Sequence, residues 1–91
     1  MKTYHVHHIL VKARFEAEDL LKKIAEGKKF SELAKKFSTC NSAAHGGDLG
    51  ELKMGQADCD FEEAALALPV GKTSSNPIRS KFGYHIIHRI K

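Results

Sequence analysis

The sequence predicts a small α+β domain, and three observations carry the prediction. Apolar, β-branched runs lie near both ends of the chain. Between them, three segments repeat their apolar residues with a helical period. The resulting order is strand, two or three helices, short strand, helix, strand, strand. That order lacks the consecutive βαβ units of a nucleotide-binding fold and sets helices against a small antiparallel sheet.

The first run, His5 to Val11, reads as a strand with Val6, His8 and Leu10 on one face and His5, His7, Ile9 and Val11 on the other. Ala17, Leu20, Leu21 and Ile24 follow at helical spacing and predict a helix from about Phe15 to Glu26, stopped by Gly27. Phe30, Leu33, Ala34 and Phe37 repeat the pattern in a second helix that ends near Ser38. Gly46, Gly47 and Gly50 suit a sharp bend, and Asp48 to Leu52 fits a short strand. Phe61, Ala64, Ala65 and Leu68 predict a third helix, with Asp60 and Glu63 as a variant capping box and Pro69-Val70-Gly71 as the stop. Pro77 limits Ile78 to Ser80 to an edge strand. Tyr84 to Ile90 closes the chain as a strand, with His85, Ile87 and Arg89 alternating against Tyr84, Ile86, His88 and Ile90.

Ninety-one residues make one domain, residues 1–91, with room for one modest core and little for a large cofactor. No apolar run approaches the ~20 residues of a membrane span. The N-terminal MKTYHVHHILVK lacks the apolar core of a secretory signal, so the chain is expected to be cytoplasmic. A net charge of +4 and a pI of 9.2 admit a nucleic-acid or acidic-membrane partner. The lysines are better explained as solvated helix faces. Glu18, Asp19 and Glu32 precede Lys22, Lys23 and Lys36 by four residues, the spacing of helical ion pairs. Cys40 and Cys59 form no CxxC and are read as reduced thiols.

The reactive side chains are few. His5 and His7 share a strand face but supply two ligands where a structural zinc site takes four. They and His88 are read as solvated histidines, and no metal or cofactor is expected. Cys40 beside a histidine would make a nucleophile and base, but no thiol-hydrolase signature surrounds it, and a buried inert thiol is the alternative. GGDLG lacks both the GxGxxG spacing and the GK[ST] ending of a phosphate cradle. His8 and His85 each sit mid-strand among apolar neighbours. Two such strands can bring the imidazoles together as a buried neutral pair, one donating and one accepting, oriented by hydroxyls from Thr39 or Ser80; taken alone, the pattern favours a structural role, that of satisfied core histidines.

Read in order, HHILVK, FSELAKKFSTCNSAAHGGDLGEL, GQADCDFEEAALAL and KFGYHIIHRI resemble the parvulin family of peptidyl-prolyl cis/trans isomerases from about His5 to Ile90. The combination of HILVK, GGDLG, F-E-x-A and FGYHII is the specific feature, and with no further domain the chain is similar to the small single-domain parvulins of prokaryotes. The resemblance implies a parvulin (FKBP-like) fold, in which a four-stranded antiparallel sheet is surrounded by about four helices and carries a shallow groove on its concave face. It implies that His8 and His85 are the paired central histidines, and that Cys40 holds the position that is cysteine or aspartate in relatives. It also implies that Ser80 bonds to the histidine pair, with Thr39 as a further partner. Leu49 and Phe61 would wall the proline pocket, Phe82 would line the groove, and Gln56 would stand at its rim. Ala57 departs from the family, since relatives usually carry methionine there as a third wall; Met54, three positions earlier, is the candidate to refill the pocket.

The activity so implied is non-covalent acceleration of Xaa-Pro rotation in peptides and unfolded proteins, by a monomer. Cys40 would act as a neutral thiol, and Asp48 would hold the glycine-rich bend by accepting backbone N–H groups. Phosphate-directed relatives carry a basic loop after the first strand. Here only Ala13 and Arg14 lie near that junction, so phosphate-directed specificity is not expected. Three other readings are a non-catalytic peptide-binding or chaperone module, favoured by Ala57, a thiol enzyme using Cys40, and a nucleic-acid accessory.

Overall fold

The computed structural model describes residues 3–91. Its elements, in chain order, are β1 (Thr3–Val11), α1 (Arg14–Ala25), α2 (Phe30–Phe37), a 3-10 turn (Asn41–His45), β2 (Asp48–Lys53), α3 (Cys59–Ala67), β3 (Ile78–Ser80) and β4 (Gly83–Arg89). The α+β class and the four-stranded antiparallel sheet follow the sequence reading, with three α-helices and one 3-10 turn in place of about four helices. No described helix is long and apolar enough to cross a membrane.

The strands are ordered β2-β1-β4-β3, so the first and last strands of the chain form the sheet's centre. His8 stands opposite Ile87, and Leu10 opposite His85. The short β3 lies on the edge next to β4, as Pro77 requires.

Both faces of β1 are apolar over half its length, and each half attracts different helices. Ile9, Val11 and Ile86 pack against Ala17 and Leu20 of α1 and Leu33 and Ala34 of α2. On the other face Tyr4, Val6 and Ile87 pack against Phe61 and Ala65 of α3. Each of the fully buried Ile9, Ile86 and Ile87 side chains contributes about 1.5–3 kcal/mol by leaving water. The two uncovered halves lie diagonally across the sheet. One holds His8 and Leu10, the other His5 and His7.

Two local features differ from the sequence reading. The N-cap of α3 is Asp58, not Asp60: the Asp58 carboxylate accepts the Asp60 N–H at 3.0 Å. Both acids suit a helix start, and the chain enters the helix two residues earlier than the apolar pattern suggests. Glu18 pairs with Arg14 at 3.4 Å rather than with Lys22, whereas Asp19 and Lys23 pair as expected at 3.4 Å. The far end of α3 is closed by Arg89, whose guanidinium donates to the carbonyls of Leu66 and Leu68 at 3.1 and 2.8 Å.

The bend before β2 places chain against chain. Gly47 has φ +87°, and a Cβ there would lie 2.4 Å from the carbonyl oxygen of His8, so only glycine lets the bend dock on β1. Asp48 Oδ1 accepts the Gly50 N–H at 2.8 Å, which holds the bend as anticipated. That bond and a shorter one from His5 keep the Asp48 carboxyl below its usual acid range, the His5 bond being the larger cause.

Candidate active site

Where α3 leaves the sheet uncovered, a cavity of about 340 Å³ opens over the central strands. Its floor is His8 and His85. Antiparallel pairing sets them diagonally across β1 and β4 on one face, with nearly parallel rings 5.2 Å apart. Their Nδ1 atoms are 3.0 Å apart, so one imidazole donates and the other accepts. The outer nitrogens are engaged as well. His8 Nε2 lies 3.1 Å from Ser42 Oγ, and His85 Nε2 lies 2.6 Å from Ser80 Oγ. All four ring nitrogens thus belong to one chain, Ser42–His8–His85–Ser80. The edge-on ring of Phe61, 5.7 Å from His8 and 5.0 Å from His85, covers the pair.

Burial makes these imidazoles neutral. It pushes His8 down from 6.5 to about 4, helped by the neighbouring His85. It also lowers His85, against the opposing pull of the Asp58 carboxylate. Among the described residues no buried side-chain nitrogen or oxygen is left without a partner, so the pair is fully satisfied rather than strained.

The walls are apolar. Leu49 and Leu52 of β2, Phe61 of α3 and Ala57 form one side; Leu10, Cys40 and the exposed ring of Phe82 form the other, and Asp58 stands at the margin. Cys40 is half-buried, and with every imidazole nitrogen already bonded, neither histidine is available to it as a base. That argues against a thiol nucleophile.

Of the residues named from sequence, His8, Cys40, Leu49, Ala57, Phe61, Phe82 and His85 share the cavity, and Ser80 supports its floor. Three do not. Thr39 serves the backbone instead: its N–H and hydroxyl donate to the Leu10 carbonyl at 2.8 and 3.2 Å, which turns it away from the histidines. Gln56 folds back to accept the Lys53 N–H at 2.7 Å and closes the turn before α3. Met54 is 49% exposed on that same turn and does not refill the space beside Ala57. Ser42 and Asp58 were missed. Ser42 is one of several hydroxyls after α2, and only the 3-10 turn selects it. Asp58 carried a legible signal, an acid at the entry to a helix.

Away from the groove, His5, His7 and Asp48 bring three potential ligand atoms within 4.8 Å of one another.

Residues 7–91 match the family described as Rotamase, PPIC-type PPIASE domain. The chain is 47% identical over 83 residues to the foldase protein PrsA of Bacillus subtilis (strain 168), covering 90% of this chain and 28% of that protein. The crystal structure of PrsA from Bacillus subtilis superposes with a TM-score of 0.93 at 43% identity, over 98% of this chain and 35% of that one. The solution structure of NmPin, the parvuline of Nitrosopumilus maritimus, superposes with a TM-score of 0.87 at 41% identity, over 100% of this chain and 98% of that one. The chaperone SurA of Chromobacterium violaceum is 36% identical over 96 residues, covering 96% of this chain and 22% of that protein. The chain thus spans about a quarter of the length of these curated relatives, and nearly all of the small archaeal protein.

Proposed function

The chain belongs to the PPIC-type parvulin family and is a peptidyl-prolyl cis/trans isomerase domain; from that premise we propose that its groove turns Xaa-Pro bonds without a covalent intermediate. The observation that carries this reading is an apolar cavity walled by Leu49 and Phe61 over two neutral, fully bonded imidazoles.

Rotation about a prolyl bond crosses a barrier of ~18–20 kcal/mol because it breaks amide resonance. No bond is made or broken. In the twisted state the nitrogen regains its lone pair and the carbonyl oxygen loses part of its negative charge, so the twisted amide is less polar than the planar one. An apolar groove favours it, and each 1.36 kcal/mol of preference is tenfold in rate. Leu49, Leu52 and Phe61 would hold the prolyl ring while the rest of the substrate backbone turns. Cys40 would lie beside the reacting carbonyl as a neutral thiol, tuning polarity. The histidine chain would keep the floor rigid and uncharged.

The substrates so inferred are proline-containing peptides and unfolded proteins, a reading supported by the foldase and chaperone names of the relatives. Phosphate is not expected to direct recognition. Arg14, at the start of α1, pairs with Glu18, and Lys12 of the β1–α1 junction borders, with Arg79 and Lys81, a hollow that meets the groove at Phe82. One observation favours a second reading, a binding module with low turnover. Ala57 leaves a wall of the pocket short, and Met54 points elsewhere.

NMR exchange spectroscopy on an Xaa-Pro peptide series, with one phosphoseryl-proline member, tests these readings together. Accelerated exchange on the unphosphorylated peptides, with shifts at Leu49, Phe61 and Phe82, is the expected result. Binding without added exchange would leave the module reading, and exchange confined to the phosphopeptide would overturn the specificity.

A further inference from the structure

The half of the sheet opposite the groove carries a second arrangement that prolyl isomerisation does not use. We propose that His5, His7 and Asp48 form a binding site for one divalent transition-metal ion of the zinc class, with a coordination position open to solvent.

The period of β1 brings the two histidines together. It places His5 and His7 on one face while His8 faces the groove. Helices α1 and α2 cover only the Ile9–Val11 half of that face. The side chains of His5 and His7 are each 25% exposed and that of Asp48 39%, so they are half-enclosed but reachable. The ring of Phe30, 6.4 Å from His7, closes the side toward the helices.

The third ligand comes from an irregularity in the sheet. His5 pairs with Glu51, but His7 pairs with Asp48, so β2 spends one more residue than β1 over the same span. With regular pairing Leu49 would stand opposite His7, and Asp48 would face the groove. The extra residue is accommodated at Gly50, whose φ of +70° side chains rarely adopt. This bulge reverses the faces of Leu49 and Asp48 together. Leu49 turns into the proline groove, and Asp48 turns to the histidines.

The distances suit a small cation. Asp48 Oδ1 lies 2.6 Å from His5 Nε2 and 3.6 Å from His7 Nε2. Ligand bonds of about 2.0–2.2 Å in a tetrahedron separate ligand atoms by about 3.3–3.6 Å, so side-chain rotations suffice to admit an ion. Two imidazoles and a carboxylate form a donor set used by zinc and its neighbours, with water completing the shell. The Gly50 N–H at 2.8 Å holds the carboxylate in its orientation.

Cobalt(II) titration of the reduced protein near neutral pH tests the proposal, followed by competition with zinc. The expected result is saturable binding of a single equivalent, visible ligand-field bands, and histidine ring shifts at His5 and His7 but not at His45. His7→Ala and Asp48→Asn should each weaken binding by about tenfold or more. Asparagine still accepts the Gly50 N–H, so Asp48→Asn carries the test if His7→Ala misfolds. No saturable binding, affinity unchanged by the substitutions, or a thiolate charge-transfer band assigning the ion to Cys40 or Cys59 would each overturn the proposal.

Discussion

Acidification is expected to unfold this domain through the floor of its own groove. His8 titrates at about 4 in the folded protein and near 6.5 when unfolded, because folding buries it beside His85. Between those values the unfolded chain binds a proton that the folded chain refuses. Stability from this source is therefore complete above about pH 6.5 and is lost as pH falls toward 4. At about 1.36 kcal/mol per pH unit the gap amounts to about 3 kcal/mol, a large share of the 5–15 kcal/mol typical of a domain. His85 and His88, both lowered chiefly by burial, act in the same direction. Urea denaturation at a series of pH values should show stability falling steadily below about pH 6.5, while NMR titration of the His8 ring should show little protonation above about pH 5. A His8→Asn variant, lacking this proton site, should have the shallower dependence. A His8 ring that titrates at or above 6.5, or a pH dependence unchanged in His8→Asn, would refute the reasoning.

Three substitutions probe the remaining parts of the site. Cys40→Ser should retain most of the turnover of a proline tetrapeptide, and abolished turnover with a trapped thioester in the parent would instead mark a nucleophile. Ser42→Ala leaves His8 Nε2 unpartnered in the interior and should cost about 1–3 kcal/mol in a denaturant melt; an unchanged midpoint would remove Ser42 from the chain. Ala57→Met should add a wall to the pocket and strengthen binding of a prolyl peptide by about 1 kcal/mol, or about fivefold, and unaltered affinity would show that the missing wall is not limiting.

What could be read without coordinates was governed by local periodicity. Two-residue alternation in HVHHILV and YHIIHRI is enough to say which side chains share a face, because a strand has no other way to arrange them. That is why His8 and His85 could be singled out as interior residues, and why the helices around Leu20, Leu33 and Phe61 were legible. Turns have no period. Whether Thr39 or Ser42 reaches the imidazole depends on the path of a five-residue 3-10 turn, and Met54 and Gln56 point where the turn before α3 sends them.

The position of Asp48 and Leu49 shows the division most plainly. Strict alternation assigns Asp48 and Leu52 to one face of β2; the bulge at Gly50 puts them on opposite faces. Sequence determined that a glycine-rich bend would precede a short strand. Only tertiary structure decided the register, because docking on β1 requires one more residue from one strand than from the other, and a shift of one residue exchanges the two faces of a sheet.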